Sequence, residues 1–250
     1  MFFSRGSLGT IEFAFTNRED GYSDGPYSSL NLGSTTASGA EATGDNPALV
    51  ARNLAAVAEA FGVPRFRTMT QVHGADVAFV VGSSTDAPVA DAMVTDEVGL
   101  ALIVRAADCT PIVLADPQAR LVGVVHAGRA GLVNGVAPAA VRAMRDRGAT
   151  RIQAWIGPRV CGSCYELPQS MVDEAAEFVP EARSNTAAGK PALDVGRGVI
   201  AQLKAEQVDV TDLGLDLCTM EDKQFFSYRR QGKSSGRQGA IVVLRGQTGE

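Results

Sequence analysis

An α+β fold, a mixed β-sheet core flanked by helices in a single domain over 1-250, is predicted by three observations. Short β-branched runs bounded by Asp, Gly or Pro crowd the stretch from Arg67 to His126. Helical patterns stand on both sides of them. The two patterns intermix without the regular strand–helix alternation of a parallel sheet, and neither an internal repeat nor a low-complexity linker divides the chain.

From Thr16 to Asn46 the chain is rich in Gly, Ser, Asn and Asp and carries Asp24-Gly25-Pro26, which predicts a long ordered loop. Tyr22, Tyr27, Leu30 and Leu32 are its candidate anchors to the body. Val50, Leu54, Val57 and Phe61 then recur at helical spacing, with Asn46 placed to cap, Pro47 at the first position and Gly62 at the end. Strands are predicted at Val77 to Val81, Leu100 to Val104, Pro111 to Ala115 and Leu121 to Val125, the last two joined as a hairpin through Asp116-Pro117-Gln118-Ala119. A helix from Gly131 to Arg147 follows, with Leu132, Val136, Ala140 and Met144 on one face. Beyond it come a strand at Ile152 to Ile156, helices near Gln169 to Phe178 (capped by Pro168 or Ser170) and Val195 to Gln207 (capped by Asp194), and a closing strand at Ala240 to Leu244.

Of 250 residues, 45% are hydrophobic and 20% charged, the composition of a globular chain with a large core. The formal charge of −5 repels nucleic acid and anionic membrane surfaces, so neither is an expected partner. Four irregularly spaced cysteines suit reduced thiols better than a disulfide scaffold, and MFFSRGSLGT lacks the basic and apolar regions of a signal peptide. The expectation is a cytoplasmic protein.

Only two histidines occur, His73 and His126, each where a strand pattern meets glycine; Cys109 sits between two strand-like runs. Two imidazoles and a thiolate are an accepted zinc set that leaves a fourth position open. The spacings match no local zinc motif, so two other readings stay open: hydrogen-bonded core histidines with an inert thiol, and a Cys109–His126 nucleophile pair oriented by Asp108 or another carboxylate. Cys161-Gly162-Ser163-Cys164 reads as a redox motif or a small-residue turn; a zinc ribbon needs a second such pair, and Cys109 and Cys218 are solitary in the chain. Zinc base-deaminase signatures are absent from the flanks of His73, His126 and Cys161. Between Lys223 and Gly249 six basic residues occur without an acidic one, and 19 of the 23 basic residues in the chain are arginine, the side chain that grips phosphate with two parallel donors.

Together these motifs resemble the laccase-domain, YfiH-type family, known as polyphenol oxidases and as purine nucleoside phosphorylases. The resemblance begins at Arg18-Glu19-Asp20-Gly21-Tyr22-Ser23 and Pro26-Tyr27-Ser28-Ser29-Leu30-Asn31-Leu32-Gly33. It continues through Gly44-Asp45-Asn46-Pro47, Gln71-Val72-His73-Gly74, Ala107-Asp108-Cys109-Thr110-Pro111 and His126-Ala127-Gly128. It closes with Ile156-Gly157-Pro158, Cys164-Tyr165-Glu166 and Ser227-Tyr228-Arg229-Arg230 through Gly236-Arg237. It implies zinc held by His73, Cys109 and His126. It also implies phosphorolysis of adenosine, inosine, guanosine and methylthioadenosine, a glycosyl transfer to phosphate, with hydrolytic deamination of adenosine alongside.

Arg18, Arg129, Arg229, Arg230 and Arg237 are then the candidate phosphate and substrate residues, with Tyr165 as a polar partner. Asp108 and Glu166 are the candidate proton carriers, beside Gln71. Three departures stand out: Arg129-Ala130 replaces the family's Trp-Arg, Leu54 replaces an arginine after Asn53, and Ser235 replaces a threonine before Gly236-Arg237. The expected partners are a purine nucleoside and phosphate, acting on a monomer. The alternatives are a copper-dependent polyphenol oxidase, for which two histidines are few ligands, a Cys–His hydrolase, and a non-enzymatic protein whose structural zinc takes a fourth ligand from Cys161, Cys164 or an acid.

Overall fold

Two β-sheets stacked face to face form the centre of the computed structural model, which describes residues 1–35, 39–82 and 86–246. Residues 36–38 of the expected loop and the end of the basic segment beyond 246 lie outside that description. In chain order the elements are β1 (Phe2–Leu8), β2 (Ile11–Thr16), α1 (Pro47–Phe61), β3 (Phe66–Arg67), β4 (Val77–Phe79), β5 (Ala92–Thr95), β6 (Ala101–Ala106), β7 (Thr110–Asp116) and β8 (Leu121–Ala127). There follow α2 (Arg129–Val133), α3 (Val136–Arg145), β9 (Gln153–Ile156), α4 (Gln169–Phe178), β10 (Arg183–Asn185), β11 (Pro191–Leu193), α5 (Val195–Ala205), β12 (Asp209–Asp212), α6 (Tyr228–Gln231) and β13 (Gln238–Leu244).

One sheet has the order β1-β2-β13-β6-β3 and the other β12-β9-β7-β8-β5-β4; β10 and β11 form a separate ribbon. Parallel pairs (β3 with β6, β4 with β5, β9 with β12) sit among antiparallel ones, so the sheets are mixed, as the sequence predicts. The strands read as unbroken apolar runs because both faces of each sheet are covered. Val113, Val122, Val124, Leu102, Val104 and Val242 fill the space between the sheets with Phe13, Phe15 and Trp155. Their neighbours Ile112, Leu114 and Val125 point outward onto α2 to α5, while Ile103, Ile241 and Val243 point outward onto α1 and the loop residues Leu30 and Leu32. Alternation is therefore present but hidden, since each strand buries both sets.

The α1 boundaries follow the sequence: Asn46 accepts from the Ala48 amide, Pro47 opens the helix, and Gly62 closes it in the left-handed region at φ 76°. The β7–β8 hairpin also forms as expected. The single helix expected from Gly131 to Arg147 is instead α2 and α3, broken at Gly135, whose φ of 73° suits a residue without Cβ. Pro168 precedes α4, and Ser170 lies inside it without capping. In the 16–46 loop Leu30 and Leu32 are fully buried, whereas Tyr22 is exposed. The loop's other tether is the buried Asn53 side chain, which takes the Tyr22 amide and donates to Ser23 Oγ and the Asn31 carbonyl. The N-terminal hairpin β1–β2 and strand β5 were not among the predicted elements.

Candidate metal centre

Antiparallel pairing brings the chemistry together. Thr110 at the start of β7 opposes Ala127 at the end of β8, and Ala92 at the start of β5 opposes Val125. Cys109, His126 and Asp91 thus emerge at one end of the six-stranded sheet, where the turn before β4 delivers His73. The ligand atoms of His73, Cys109 and His126 all lie within 4.8 Å of one another. Cys109 Sγ is 3.7 Å from His73 Nε2, and the two imidazole centroids are 4.9 Å apart.

Asp91, fully buried, orders this cluster. Its Oδ1 lies 2.8 Å from His126 Nδ1, which directs Nε2 of that ring into the cluster. The same carboxylate accepts the amides of Val72, His73 and Gly74 at 3.1, 3.0 and 2.7 Å, holding the turn that carries His73. Burial works to raise the Asp91 pKa, but the bond to His126 and the Gly74 and Val72 amides hold it below the usual carboxylate value. His73 and Asp108 are non-glycine residues at φ 60° and 84°. Left-handed backbone on each side of the cluster costs on the order of 1 kcal/mol per residue and persists because the surroundings enforce it.

Charge within the cluster is already separated. Burial pushes the Cys109 thiol up, yet His126 and His73 draw it down to about 6. Burial pushes His126 down, yet the Cys109 thiolate and Asp91 raise it to about 9. A pocket that stabilises a thiolate against a cationic ring suits a divalent cation taking the place of the proton. Space is reserved as well: a Cβ on Gly128 would lie 2.7 Å from His73 Cδ2 and 3.1 Å from Cys109 Sγ. The donor set and the room beside it fit a zinc-type ion.

The cluster forms the floor of a cavity of about 830 Å³ whose walls carry Asp108, Arg129, Tyr165, Arg229, Lys233 and Arg237. Arg229 lies over the Tyr165 ring at 4.5 Å. Burial and the Cys109 charge raise the Tyr165 phenol pKa, so it stays a neutral donor. Arg129, in the first turn of α2, faces the cavity and pairs with Glu174 at 3.1 Å. Asp108 accepts the Thr219 hydroxyl and the Arg229 amide, each at 2.6 Å. The Arg237 guanidinium is buried against the carbonyls of Ala40, Ala42, Ser235 and Gly236, tying the 39–42 loop to the segment before β13.

Four residues expected at the site stand elsewhere. Gln71 is fully buried with its amide bridging the Arg105 backbone N–H and C=O at 2.9 and 2.7 Å, which uses its polar group in holding two segments together. Glu166 is on the surface, paired with Lys190 at 3.0 Å. Arg18 packs over Phe226 and donates to the Ser28 carbonyl. Arg230 turns away to the carbonyls of Thr219 and Met220 at 2.6 and 2.8 Å. In each case a local acceptor or partner claims the side chain. Residues not foreseen are Asp91 and Thr219, while the sequence marks Gly128 and Lys233 only as the glycine beside His126 and a member of the basic segment. Asp91 had a visible signal, an acid opening an otherwise apolar strand; Thr219 had none.

This fold and this site define a class. The chain belongs to the family described as multi-copper polyphenol oxidoreductase laccase, whose model matches residues 12–245. Within that class it is similar to a purine nucleoside phosphorylase of Streptomyces coelicolor, 47% identical over 96% of this chain and 98% of that protein. Among solved structures it is similar to a Neisseria meningitidis protein of the DUF152 family (TM-score 0.85, 31% identity, 98% of this chain and 100% of that one). It is also similar to YlmD from Geobacillus stearothermophilus (TM-score 0.82, 31% identity, 95% of this chain and 93% of that one).

Proposed function

We propose that the chain is a zinc-dependent purine nucleoside phosphorylase. It splits adenosine, inosine, guanosine or methylthioadenosine with phosphate into free base and sugar 1-phosphate, and deaminates adenosine at the same centre. The carrying observation is the coincidence, in one cavity, of the His73–Cys109–His126 set with four cationic side chains. An acidic chain that gathers Arg129, Arg229, Lys233 and Arg237 around one hollow has prepared it for an anion. The similarity to proteins named purine nucleoside phosphorylase agrees with that reading.

His73, Cys109 and His126 would hold the zinc, which supplies a Lewis acid when bound. The protein's own part is positioning. Arg229 and Lys233, on an exposed rim, and Arg129 draw phosphate in and orient it toward the anomeric carbon; Arg229 also stiffens the Tyr165 ring, an apolar face for a purine. The glycosidic bond breaks with positive charge building on the sugar, and the Asp108 carboxylate at the cavity wall offsets it. Because Asp108 accepts from Thr219 and from the Arg229 amide, the role assigned to it here is electrostatic and positional. Arg237, with most of its donors on carbonyls, shapes the wall more than it binds.

Copper oxidase chemistry finds one His–Cys–His set at the cavity and two histidines in the whole chain, too few for a multicopper centre. The deciding assay incubates the purified protein with adenosine, with and without phosphate. Adenine and ribose 1-phosphate appearing only with phosphate supports the proposal. Catechol oxidation that tracks copper content, with no base release, replaces it; base release abolished by thiol alkylation but indifferent to metal points to a Cys–His hydrolase.

A further inference from the structure

Cys218, solitary in the sequence, is not solitary in the fold. The segment after β9 and the segment before α6 place Cys161, Cys164, Cys218 and Glu221 so that their ligand atoms all lie within 4.8 Å of one another. The set consists of two turns with identical spacing. In Cys161-Gly162-Ser163-Cys164 the Cys164 and Tyr165 amides both donate to the Cys161 carbonyl at 3.1 Å. In Cys218-Thr219-Met220-Glu221 the Glu221 and Asp222 amides donate to the Cys218 carbonyl at 3.0 and 2.8 Å. The turns face each other: the Cys161 amide donates to Cys218 Sγ at 3.3 Å, and the Thr219 amide to the Arg159 carbonyl at 3.0 Å. The second half of the ribbon that the sequence lacks is thus supplied by a Cys-x-x-Glu turn 57 residues away.

We propose that Cys161, Cys164, Cys218 and Glu221 bind a second zinc-type divalent cation with a structural role. Three sulfurs and a carboxylate are a soft, fully protein-derived tetrahedral set, and zinc–sulfur bonds near 2.3 Å put neighbouring sulfurs about 3.8 Å apart, within the spread found here. All four cysteines are free thiols, so no disulfide competes for these atoms. On binding, the three thiols release their protons to solvent and each sulfur forms one bond to the ion. The turn is packed to keep its shape: a Cβ on Gly162 would meet Ser184 Oγ at 2.6 Å and Asp194 Cβ at 2.8 Å.

The cluster stands behind the cavity wall and carries its parts. Tyr165 follows Cys164; Thr219, which holds Asp108, follows Cys218; Val160, whose amide donates to the Asp108 carbonyl at 3.0 Å, precedes Cys161. A cation joining the two turns fixes the Tyr165–Asp108–Arg229 wall without touching substrate.

The test is metal stoichiometry of the full chain purified under reductant without chelator, followed by cobalt substitution. Wild type is expected to carry two zinc ions, and Cys109→Ala, Cys164→Ser and Glu221→Gln one each. With cobalt, Cys109→Ala keeps about three quarters of the thiolate-to-metal charge-transfer absorption, since three of the four thiolates are here. Cys164→Ser and Glu221→Gln are on the less buried members, so a folding failure of Cys218→Ser does not decide the matter. One ion that Cys109→Ala alone removes, or a Cys161 disulfide to Cys164 or Cys218 in the native chain, overturns the proposal. One ion that Cys164→Ser and Glu221→Gln remove and Cys109→Ala leaves in place sustains it while sinking the first metal centre, so the two readings fail separately.

Discussion

The His73–Cys109–His126 set draws its members from the turn before β4 and the ends of β7 and β8 and opens onto a cavity, whereas Cys161, Cys164, Cys218 and Glu221 come from two tight turns and face one another. The first has three ligands, an orienting carboxylate in Asp91 and room beside Gly128. The second has four ligands and lies behind the wall. That contrast matches the two roles proposed above, an open set for a reactive centre, which keeps a position for substrate, and a closed one for a structural ion. It also explains the unequal distribution of strain: left-handed non-glycine backbone flanks the first set, at His73 and Asp108, and is absent from the second among the described residues.

The sharpest way to break the comparison is to empty one set and watch the other. Cys109→Ala should lower phosphorolysis roughly a thousandfold, the several kcal/mol of charge stabilisation expected of a Lewis acid. The Cys161 set should keep its metal, as read by metal analysis beside the assay. A variant with near-normal kcat/KM removes the first set from the chemistry. Gly128→Ala comes next, because the added methyl presses on His73 and Cys109; a loss on the order of a hundredfold in activity, with the thermal midpoint shifted by only a few degrees, is the expected pattern.

Asp91→Asn should weaken zinc binding at the first set by about 10- to 100-fold, measured by competition with a chelator, since the charge behind the His126 ring is lost and an NH2 replaces one of the two oxygens that accept from that ring and from the amides of the His73 turn. The pH dependence has a definite sign. With His126 raised to about 9 and Cys109 lowered to about 6, the metal-free pair is imidazolium and thiolate between those values, so uptake of the ion expels one proton. Zinc affinity should therefore fall about tenfold per unit as pH drops from 9 to 6, and more steeply below 6 as the thiol also protonates. Affinity that is flat over this range removes the charge pairing from the account. The smallest effect belongs to Glu166→Gln, an ion pair 49% and 60% exposed, which should change kcat/KM less than twofold and stability by less than about 1 kcal/mol.

How much of this was legible depends on the range of the interaction. α1, with Asn46, Pro47 and Gly62, is decided within one stretch of chain, as is the β7–β8 hairpin with its Asp116-Pro117 turn. Gly135 could have announced the break between α2 and α3, but periodicity alone ran straight through it. The arginines divide: Arg129, Arg229 and Arg237 line the cavity, whereas Arg18 and Arg230 go to structural carbonyls, because residue type says what a guanidinium can grip and nothing about which carbonyl reaches it first.

By itself the amino-acid order determined the mixed strand-and-helix content and, through the scarcity of histidine, which two imidazoles and which thiol to watch. Only the tertiary structure decided that Asp91 joins His126 to the His73 turn and that Cys218 meets Cys161 and Cys164. Capping and periodicity act over a few residues and leave a local imprint. Partners dozens of residues apart are chosen by sheet register and packing, and no local pattern records them.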